Sequence, residues 1–320
     1  MAWRTPRWWN EDGAVAKALM PLACLYAVGA GLRARMTKGW AAPVPVICVG
    51  NLTAGGAGKT PTAMAVAERL KARGRRPHFL TRGYGGTARG PLRVDPAHHE
   101  AAEVGDEALL LARHAPCWVA RDRVAGAKAA VAAGADCLVL DDGLQNPALV
   151  KTLSLAAIDA GFGFGNGRLM PAGPLREPIA SGLAKVAAAV MIGEGGPAVS
   201  VPVLRARLVP TDPAPLRGKR VLAFAGIGRP EKFADSLRQL GAVVVGLEAF
   251  ADHHPFMEVE IERLERGARE ADAILVTTAK DRVRLPAERR DKIAVLEVAL
   301  RFEDPAALDA LLDRAVGTKA

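Results

Sequence analysis

The sequence predicts an α/β fold, a parallel sheet with helices on both faces, and three observations carry that prediction. A short apolar run, Val44–Val49, leads into a glycine-rich turn and then a helical stretch from about Lys59 to Arg73. Further apolar runs recur at His78–Thr81, Cys117–Ala120, Cys137–Leu140 and Leu155–Asp159, mostly separated by alanine-rich helical stretches. Strands that alternate with helices pair in parallel, because each crossover lays a helix on one face of the sheet. The chain has 320 residues, is 50% hydrophobic and mixes both signs of charge. That is ample for a buried core in one large or two smaller domains.

The N-terminal region, 1–40, reads as an interfacial helix. Ala18–Leu32 carries no charge but is interrupted by Pro21, Gly29 and Gly31. It is shorter than the roughly 20 apolar residues needed to span a bilayer. Arg4 and Arg7 precede it, and Arg33, Arg35 and Lys38 follow. Trp3, Trp8 and Trp9 have amphipathic rings of the kind that settle at a membrane surface. A short amphipathic helix lying on the membrane is the preferred reading. An ordinary buried helix and a cleaved signal peptide compete with it. Against the signal, Glu11 and Asp12 stand where its charge would be basic.

The turn after the first strand is the strongest single feature. Gly50-Asn51-Leu52-Thr53-Ala54-Gly55-Gly56-Ala57-Gly58-Lys59-Thr60-Pro61 joins a strand to a helix. Glycines let backbone N–H groups curl around phosphate oxygens, and the helix N-terminus adds a favourable dipole. Residues Thr53 to Thr60 are therefore the expected phosphate cradle of a P-loop. Lys59 would reach the β- and γ-phosphates of ATP, and Thr60 would ligate Mg²⁺. The pattern departs in one place: Thr53 occupies the position of the usual first glycine.

A second apolar strand, Ala135–Leu140, ends in Asp141-Asp142-Gly143. An acid at the C-terminal end of such a strand sits beside the phosphate loop in open α/β sheets. Asp141, with Asp142 beside it, is the expected partner of Mg²⁺, directly or through water. These two motifs imply a nucleotide triphosphatase or kinase with ATP and Mg²⁺ as cofactors. They leave the acceptor open.

Residues 193–215 are rich in Gly and Pro and mark a plausible boundary. Beyond them a second α/β run begins. Strands are expected at Val221–Ala225, Val243–Leu247, Ile274–Thr277 and Ile293–Val298, and helices at Glu231–Leu240 and Glu258–Glu270. The expected organisation is a P-loop domain over 41–205 and a smaller C-terminal lobe over 206–320, with the site in the cleft between them.

Four more segments narrow the choice: Thr81-Arg82-Gly83-Tyr84-Gly85-Gly86, Val104-Gly105-Asp106-Glu107, Asp159–Arg168 (DAGFGFGNGR) and Pro171–Pro178 (PAGPLREP). Together with the loop at 50–61, Asp141–Asn146 (DDGLQN), His253 and Thr277–Asp281, they resemble the lipid A 4′-kinases (tetraacyldisaccharide 4′-kinase) over most of the chain. The resemblance implies a peripheral enzyme on the cytoplasmic face of the inner membrane; a monomer is the expectation. It implies transfer of the γ-phosphate of ATP to the 4′-hydroxyl of a tetraacylated glucosamine disaccharide 1-phosphate, giving the lipid IV-A precursor.

A sugar hydroxyl is a poor nucleophile, so a base that accepts its proton helps. Asp106 is the candidate, although its place before a helix also suits a cap. His253, in Asp252-His253-His254-Pro255, is its expected partner once the lobes close. Tyr84 would stack on or hydrogen-bond to nucleotide or sugar, and Gln145 would orient phosphate or Mg²⁺. Arg176 is expected to neutralise phosphate charge in the transition state, Arg123 less surely. Glu107 and Glu177 join Thr60, Asp141 and Asp142 as candidate metal ligands. Thr278 and Ala279 break the guanine-binding Asn-Lys-x-Asp pattern before Lys280 and Asp281, so no GTP preference follows.

The formal net charge of +9 implies an anionic partner. No nucleic-acid motif accompanies it, so membrane and lipid phosphate explain it more simply. The four cysteines are far apart, without a CxxC pair, which points to neither zinc nor a redox couple. A regulatory P-loop NTPase without a lipid acceptor is the alternative, and a nucleic-acid-stimulated ATPase a further one.

Overall fold

The computed structural model describes residues 6–212 and 214–317. Thirteen strands in these residues form two sheets. The larger comprises β1 (Val46–Gly50), β2 (Pro77–Thr81), β3 (Leu92–Arg93), β4 (Cys117–Val119), β5 (Cys137–Asp141), β6 (Leu153–Asp159), β7 (Ala188–Ile192), β8 (Val203–Pro210) and β13 (Val298–Phe302). Their order is β13-β8-β7-β6-β1-β5-β2-β4-β3. All neighbours pair in parallel except β13 with β8 and β3 with β4. The smaller sheet is all parallel, β10 (Val243–Ala249), β9 (Arg220–Ala225), β11 (Ile274–Thr278), β12 (Ala294–Leu296). The predicted α/β class is the observed one.

The central strands β1, β2 and β5 are buried along their whole length. That matches their unbroken apolar sequences, since a parallel sheet is covered on both faces. On one face Ile47, Val49, Phe79 and Val139 pack with Val66 and Leu70 of the helix Lys59–Lys71. On the other, Cys48, Leu80, Leu138 and Leu140 pack with Ala127 and Ala130 of the helix Arg123–Ala132. The first face also receives Leu308, Leu312 and Val316 of the C-terminal helix Pro305–Val316.

Two details depart from the sequence reading. The single strand expected over Ile293–Val298 is two strands on different sheets. β12 pairs with β11, whereas β13 starts at Val298 and pairs with β8. The chain thus re-enters the large sheet, and its last helix packs there. The continuous apolar run of 293–300 hides this, because pairing partners leave no mark on a strand's own composition. The Gly/Pro-rich boundary 193–215 likewise contains a full strand, β8. The chain passes between sheets twice, after β8 and between β12 and β13, and Thr211 ties the two crossings together, donating to Glu297 O through its N (3.0 Å) and its Oγ1 (3.3 Å).

The N-terminal region forms a helix, Met20–Met36, preceded by a short one at Ala14–Ala18. It is not amphipathic. Among its residues only Ala23 is buried, and Leu22, Leu25, Val28, Leu32 and Met36 are all exposed, Leu25 at 69%. These bulky side chains share one exposed side, and the side opposite is alanine, glycine and cysteine instead of a polar face. Trp8 and Trp9 do not stand free as interfacial rings either. Both indole Nε1 groups donate to Pro171 O at 3.3 Å, and Trp9 is 3% exposed. Trp3 lies outside the described residues. Among the described residues no helix is long and apolar enough to cross a membrane.

Because the last helix completes the core of the large sheet, Leu312→Ala should destabilise the protein by about 2–5 kcal/mol. Urea unfolding followed by circular dichroism measures this; an unchanged midpoint would contradict the assigned packing.

Candidate active site

A cleft of about 2040 Å³ opens where the two sheets meet, lined by the phosphate loop on one side and by Ile227, Arg229, His253 and Lys280 on the other. The loop follows β1 at its C-terminal end and runs into the helix Lys59–Lys71, as the motif predicts. Gly58 has φ +80, and a Cβ there would strike Ile192. A residue other than glycine would therefore disturb the turn just before Lys59.

The first half of the loop leans on the PAGPLREP segment. Ala54 N donates to Pro174 O (2.7 Å), Arg176 N to Leu52 O (2.8 Å), and Thr53 bridges Leu175. The usual first glycine is thus replaced by Thr53, a buried residue in a strand-like contact, where no glycine conformation is required. Gln145 braces the loop from behind, donating through Nε2 to Asn51 O (2.9 Å) and Glu177 Oε1 (3.0 Å). The same PAGPLREP segment holds the N-terminus. Asn166 Nδ2 donates to Trp8 O (2.8 Å) and Ala172 O (3.0 Å), while Asn166 N donates to Trp9 O (2.7 Å).

Thr60 Oγ1 donates to Asp141 Oδ2 at 2.8 Å. Asp141 is fully buried, and its Oδ1 has no protein hydrogen-bond partner. Burial pushes its carboxyl up to about 7, and the nearby charges of Glu107 and Asp142 add to that against Lys59 and the Thr60 bond. An orphaned buried carboxylate oxygen beside a hydroxyl is the donor chemistry that suits a hard cation. Among the described residues no cluster of three or more His, Cys, Asp or Glu side chains could hold a metal alone. Mg²⁺ needs none, since it binds through one or two carboxylates and keeps water and phosphate oxygens.

Asp142 serves differently. It pairs with Arg176 Nη1 at 2.7 Å and lies 3.9 Å from Lys59 Nζ. Burial alone would raise its carboxyl, but those two cations bring it below the usual range. Its φ of 58 is unusual for a residue with a side chain, a strain typical of functional turns. Glu107 lines the cleft 3.8 Å from Lys280. Glu177 stands behind the loop, paired with Lys185 and Gln145, and no hydrogen bond or ion pair joins it to Thr60 or Asp141. Arg123 is buried at the N-terminus of its helix, with Nη1 donating to Ala120 O.

Asp106 and His253 meet across the lobes. Asp106 begins the helix Asp106–Ala112 and is 3% exposed. It is not the cap; Gly105 holds that position, with φ +86, where a Cβ would strike Tyr84 O at 2.5 Å. Asp106 Oδ1 accepts from Glu107 N (2.8 Å), and Oδ2 is 2.9 Å from His253 Nδ1. On the far side of the ring, Lys280 Nζ is 3.3 Å from His253 Nε2. An ammonium only donates, so Nε2 is the accepting nitrogen and Nδ1–H points at Asp106. Burial would raise the Asp106 carboxyl, but the His253 bond and the charges of Lys280 and Arg284 bring it down to about 2. Tyr84, 62% exposed, sets its ring edge-on to His253 with centroids 5.2 Å apart.

The sequence reading placed Asp106 and His253 together but missed Lys280, Arg284 and Asp252. Asp252 Oδ1 lies 3.2 Å from Lys280 Nζ. For Lys280 a signal lies in Thr277–Asp281, which carries part of the family resemblance although it fails as a guanine motif; no sequence signal marks Arg284.

Asp141 also gives the site a pH signature in the metal-free protein. Its folded pKa lies above its unfolded value, so the folded state binds the proton more tightly. Stability is then full below about pH 4 and falls as pH rises to about 7. Asp141→Asn should remove that loss. Its thermal midpoint should exceed that of the wild type by an amount that grows from about pH 4 to about pH 7 and is constant above. Parallel curves across that range, read by differential scanning fluorimetry without Mg²⁺, would contradict the buried, cation-poor setting of Asp141.

Comparison with known proteins identifies the family and the fold. The family model LpxK, described as Tetraacyldisaccharide-1-P 4′-kinase, matches residues 15–317. A tetraacyldisaccharide 4′-kinase of Gluconacetobacter diazotrophicus is 54% identical over 317 residues, 96% of this chain and 97% of that one. The enzyme of that name from Paramagnetospirillum magneticum is 51% identical over 325 residues, 99% of this chain and 100% of that one. Among solved structures, an "apo" form of LpxK from Aquifex aeolicus in complex with ATP matches with a TM-score of 0.77 at 28% identity, covering 94% of this chain and 99% of that one. Matched over nearly its whole length by the family model and by relatives more than 50% identical, the chain belongs to the tetraacyldisaccharide 4′-kinase family.

Proposed function

We propose that this protein transfers the γ-phosphate of ATP to the 4′-hydroxyl of a tetraacylated glucosamine disaccharide 1-phosphate at a membrane surface. The observation that carries the reading is that the P-loop and His253 line one cleft, with Asp106 hydrogen-bonded directly behind the imidazole. Phosphate held by residues 53–60 and an acceptor hydroxyl near Asp106 can then meet. Lys59 and the loop N–H groups bind the phosphates. Thr60 and Asp141 would hold Mg²⁺, with Glu107 and Asp142 close by. When bound, the ion supplies charge neutralisation on the phosphate oxygens. Arg176 adds a cation on the loop side, tethered by Asp142.

A carboxylate with a pKa near 2 is a weak base. Phosphoryl transfer tolerates this, because its transition state is loose and the hydroxyl becomes acidic only as its bond to phosphorus forms. Asp106 therefore orients the hydroxyl first and accepts its proton late. His253, with Nδ1–H on Asp106, keeps that carboxylate aimed. Tyr84 offers a ring and a hydroxyl beside the pair for the sugar.

The exposed apolar helix Met20–Met36 supports a monotopic association with the bilayer, on the cytoplasmic face where ATP is available. Leucines and a valine exposed along one side of a helix are costly in water and favourable in the hydrocarbon boundary. The helix also lies beside the substrate path. Tyr26 and Arg33 line the cleft together with the phosphate loop. An acylated substrate could pass from the membrane to Asp106 without leaving the protein surface. This arrangement favours a lipid acceptor over a regulatory NTPase, which needs neither an apolar helix nor a buried aspartate–histidine pair.

Radiolabel transfer from γ-labelled ATP to the tetraacyl-disaccharide 1-phosphate in detergent micelles tests the reaction. Labelled lipid is expected, reduced about 100-fold or more by Lys59→Ala or Asp106→Ala with the fold retained. ATP bound without any labelled lipid would return the regulatory NTPase to first place. Leu25→Asp combined with Val28→Asp should shift the protein from the pellet to the supernatant in liposome sedimentation while leaving ATP affinity unaltered. Unchanged partitioning would remove the helix as the anchor.

A further inference from the structure

Arg284 takes no part in the roles assigned above, yet its guanidinium is the most heavily bonded cation near the site. Its side chain is 5% exposed, and it is not among the side chains lining the cleft. Nη2 donates to Gly226 O (2.9 Å) and Asp281 Oδ1 (2.8 Å). Nη1 donates to His254 O (3.2 Å), and Nε donates to Lys280 O (3.2 Å) while lying 3.3 Å from Asp106 Oδ2. Gly226 is part of the same knot. Its carbonyl also accepts from His253 N (3.2 Å), and its N–H donates to Asp281 Oδ1 (2.9 Å). A Cβ at residue 226 would sit 3.2 Å from Arg284 Nη1 and 3.0 Å from Ala251 O.

One planar group therefore ties together the turn after β9, the loop carrying His253 and the short helix carrying Lys280. It then reaches, beneath the cleft lining, the buried carboxylate that His253 and Lys280 also contact. We propose that Arg284 is the positioning residue that holds His253 and Lys280 in register with Asp106 across the lobe boundary. His253 needs such a frame, since its φ of 60 is unfavourable for a residue with a side chain and persists only where its surroundings over-determine it. Local folding of the second lobe explains the three carbonyl bonds and the Asp281 pair. It does not require the contact with Asp106, which belongs to the other sheet. A lysine could replace the charge but not the fork, because an ammonium cannot serve opposed, coplanar acceptors.

This role rests on the phosphoryl-transfer reading, so its test has one arm that needs turnover and one that does not. In the first, Arg284→Gln should lower kcat about 100-fold, the scale expected when catalytic groups shift by about an ångström. KM for ATP should stay within about twofold, because the phosphate loop is untouched. Arg284→Lys should fall between wild type and Arg284→Gln, and adding Arg284→Gln to His253→Ala should cost little more than His253→Ala alone. In the second arm, nitrogen-15 NMR of histidine-labelled protein reports the Nδ1–H of His253 hydrogen-bonded to Asp106. That resonance should be present in wild type and lost or broadened in Arg284→Gln. Should Arg284→Gln not fold, Arg284→Lys and Asp281→Asn, which loosens the fork from its other side, decide the matter by the same readouts. A kcat that falls only with the folded fraction, together with an unmoved His253 resonance, overturns the proposal. If wild type transfers no phosphate to lipid, the functional reading fails, and the NMR arm still decides whether Arg284 positions His253.

Discussion

A buried carboxylate at a lobe boundary constrains this molecule more than any other group. Asp106 belongs to the large-sheet lobe, yet its cationic and imidazole partners, His253, Lys280 and Arg284, all come from the smaller one. Removing one partner from a buried charge typically costs about 3–5 kcal/mol, because the remaining charge is left without water or counter-charge. The two lobes are therefore held in contact by the same groups that the proposed chemistry uses. A cleft that opened fully would hydrate Asp106 and disperse the set. The double crossing between the sheets, joined by the Thr211–Glu297 bonds, limits how the lobes can part.

The opposite wall of the cleft is organised around a second carboxylate, with the opposite electrostatics. Asp141 is buried with an orphan oxygen and a raised pKa, whereas Asp106 is buried among cations with a lowered one. The first setting is that of a group waiting for a cation, and the second is that of a group kept charged at all working pH values. Two aspartates thus acquire different tasks from their surroundings alone. Asp142, next in sequence to Asp141, takes a third, tethering Arg176 and Lys59.

The PAGPLREP segment connects this chemistry to the N-terminal helix. One end is paired with the phosphate loop and carries Arg176; the other receives Trp8, Trp9 and Asn166. Trp8 and Trp9, two of the tryptophans that the sequence suggested for the lipid interface, instead tie the N-terminal region to the lobe that carries the phosphate loop. The apolar side chains left exposed on Met20–Met36 are those proposed to meet the bilayer.

Much was legible in the sequence because it was local. The strand–loop–helix of the P-loop, the acids closing β5 and most of the strand positions follow from runs of a few residues whose periodicity and glycines have direct physical meaning; β3, β7 and β8 do not. Asp106 and His253 were paired through the family resemblance, since nothing in the spacing of 147 residues between them indicates contact. What the tertiary structure alone decided was non-local: which sheet receives β13, what covers Trp9, where Glu177 points, and that Lys280 and Arg284 surround Asp106. Each of these depends on which segments meet in space. Composition can say that a side chain prefers burial or a charge prefers a partner, but only the folded chain determines which partner arrives.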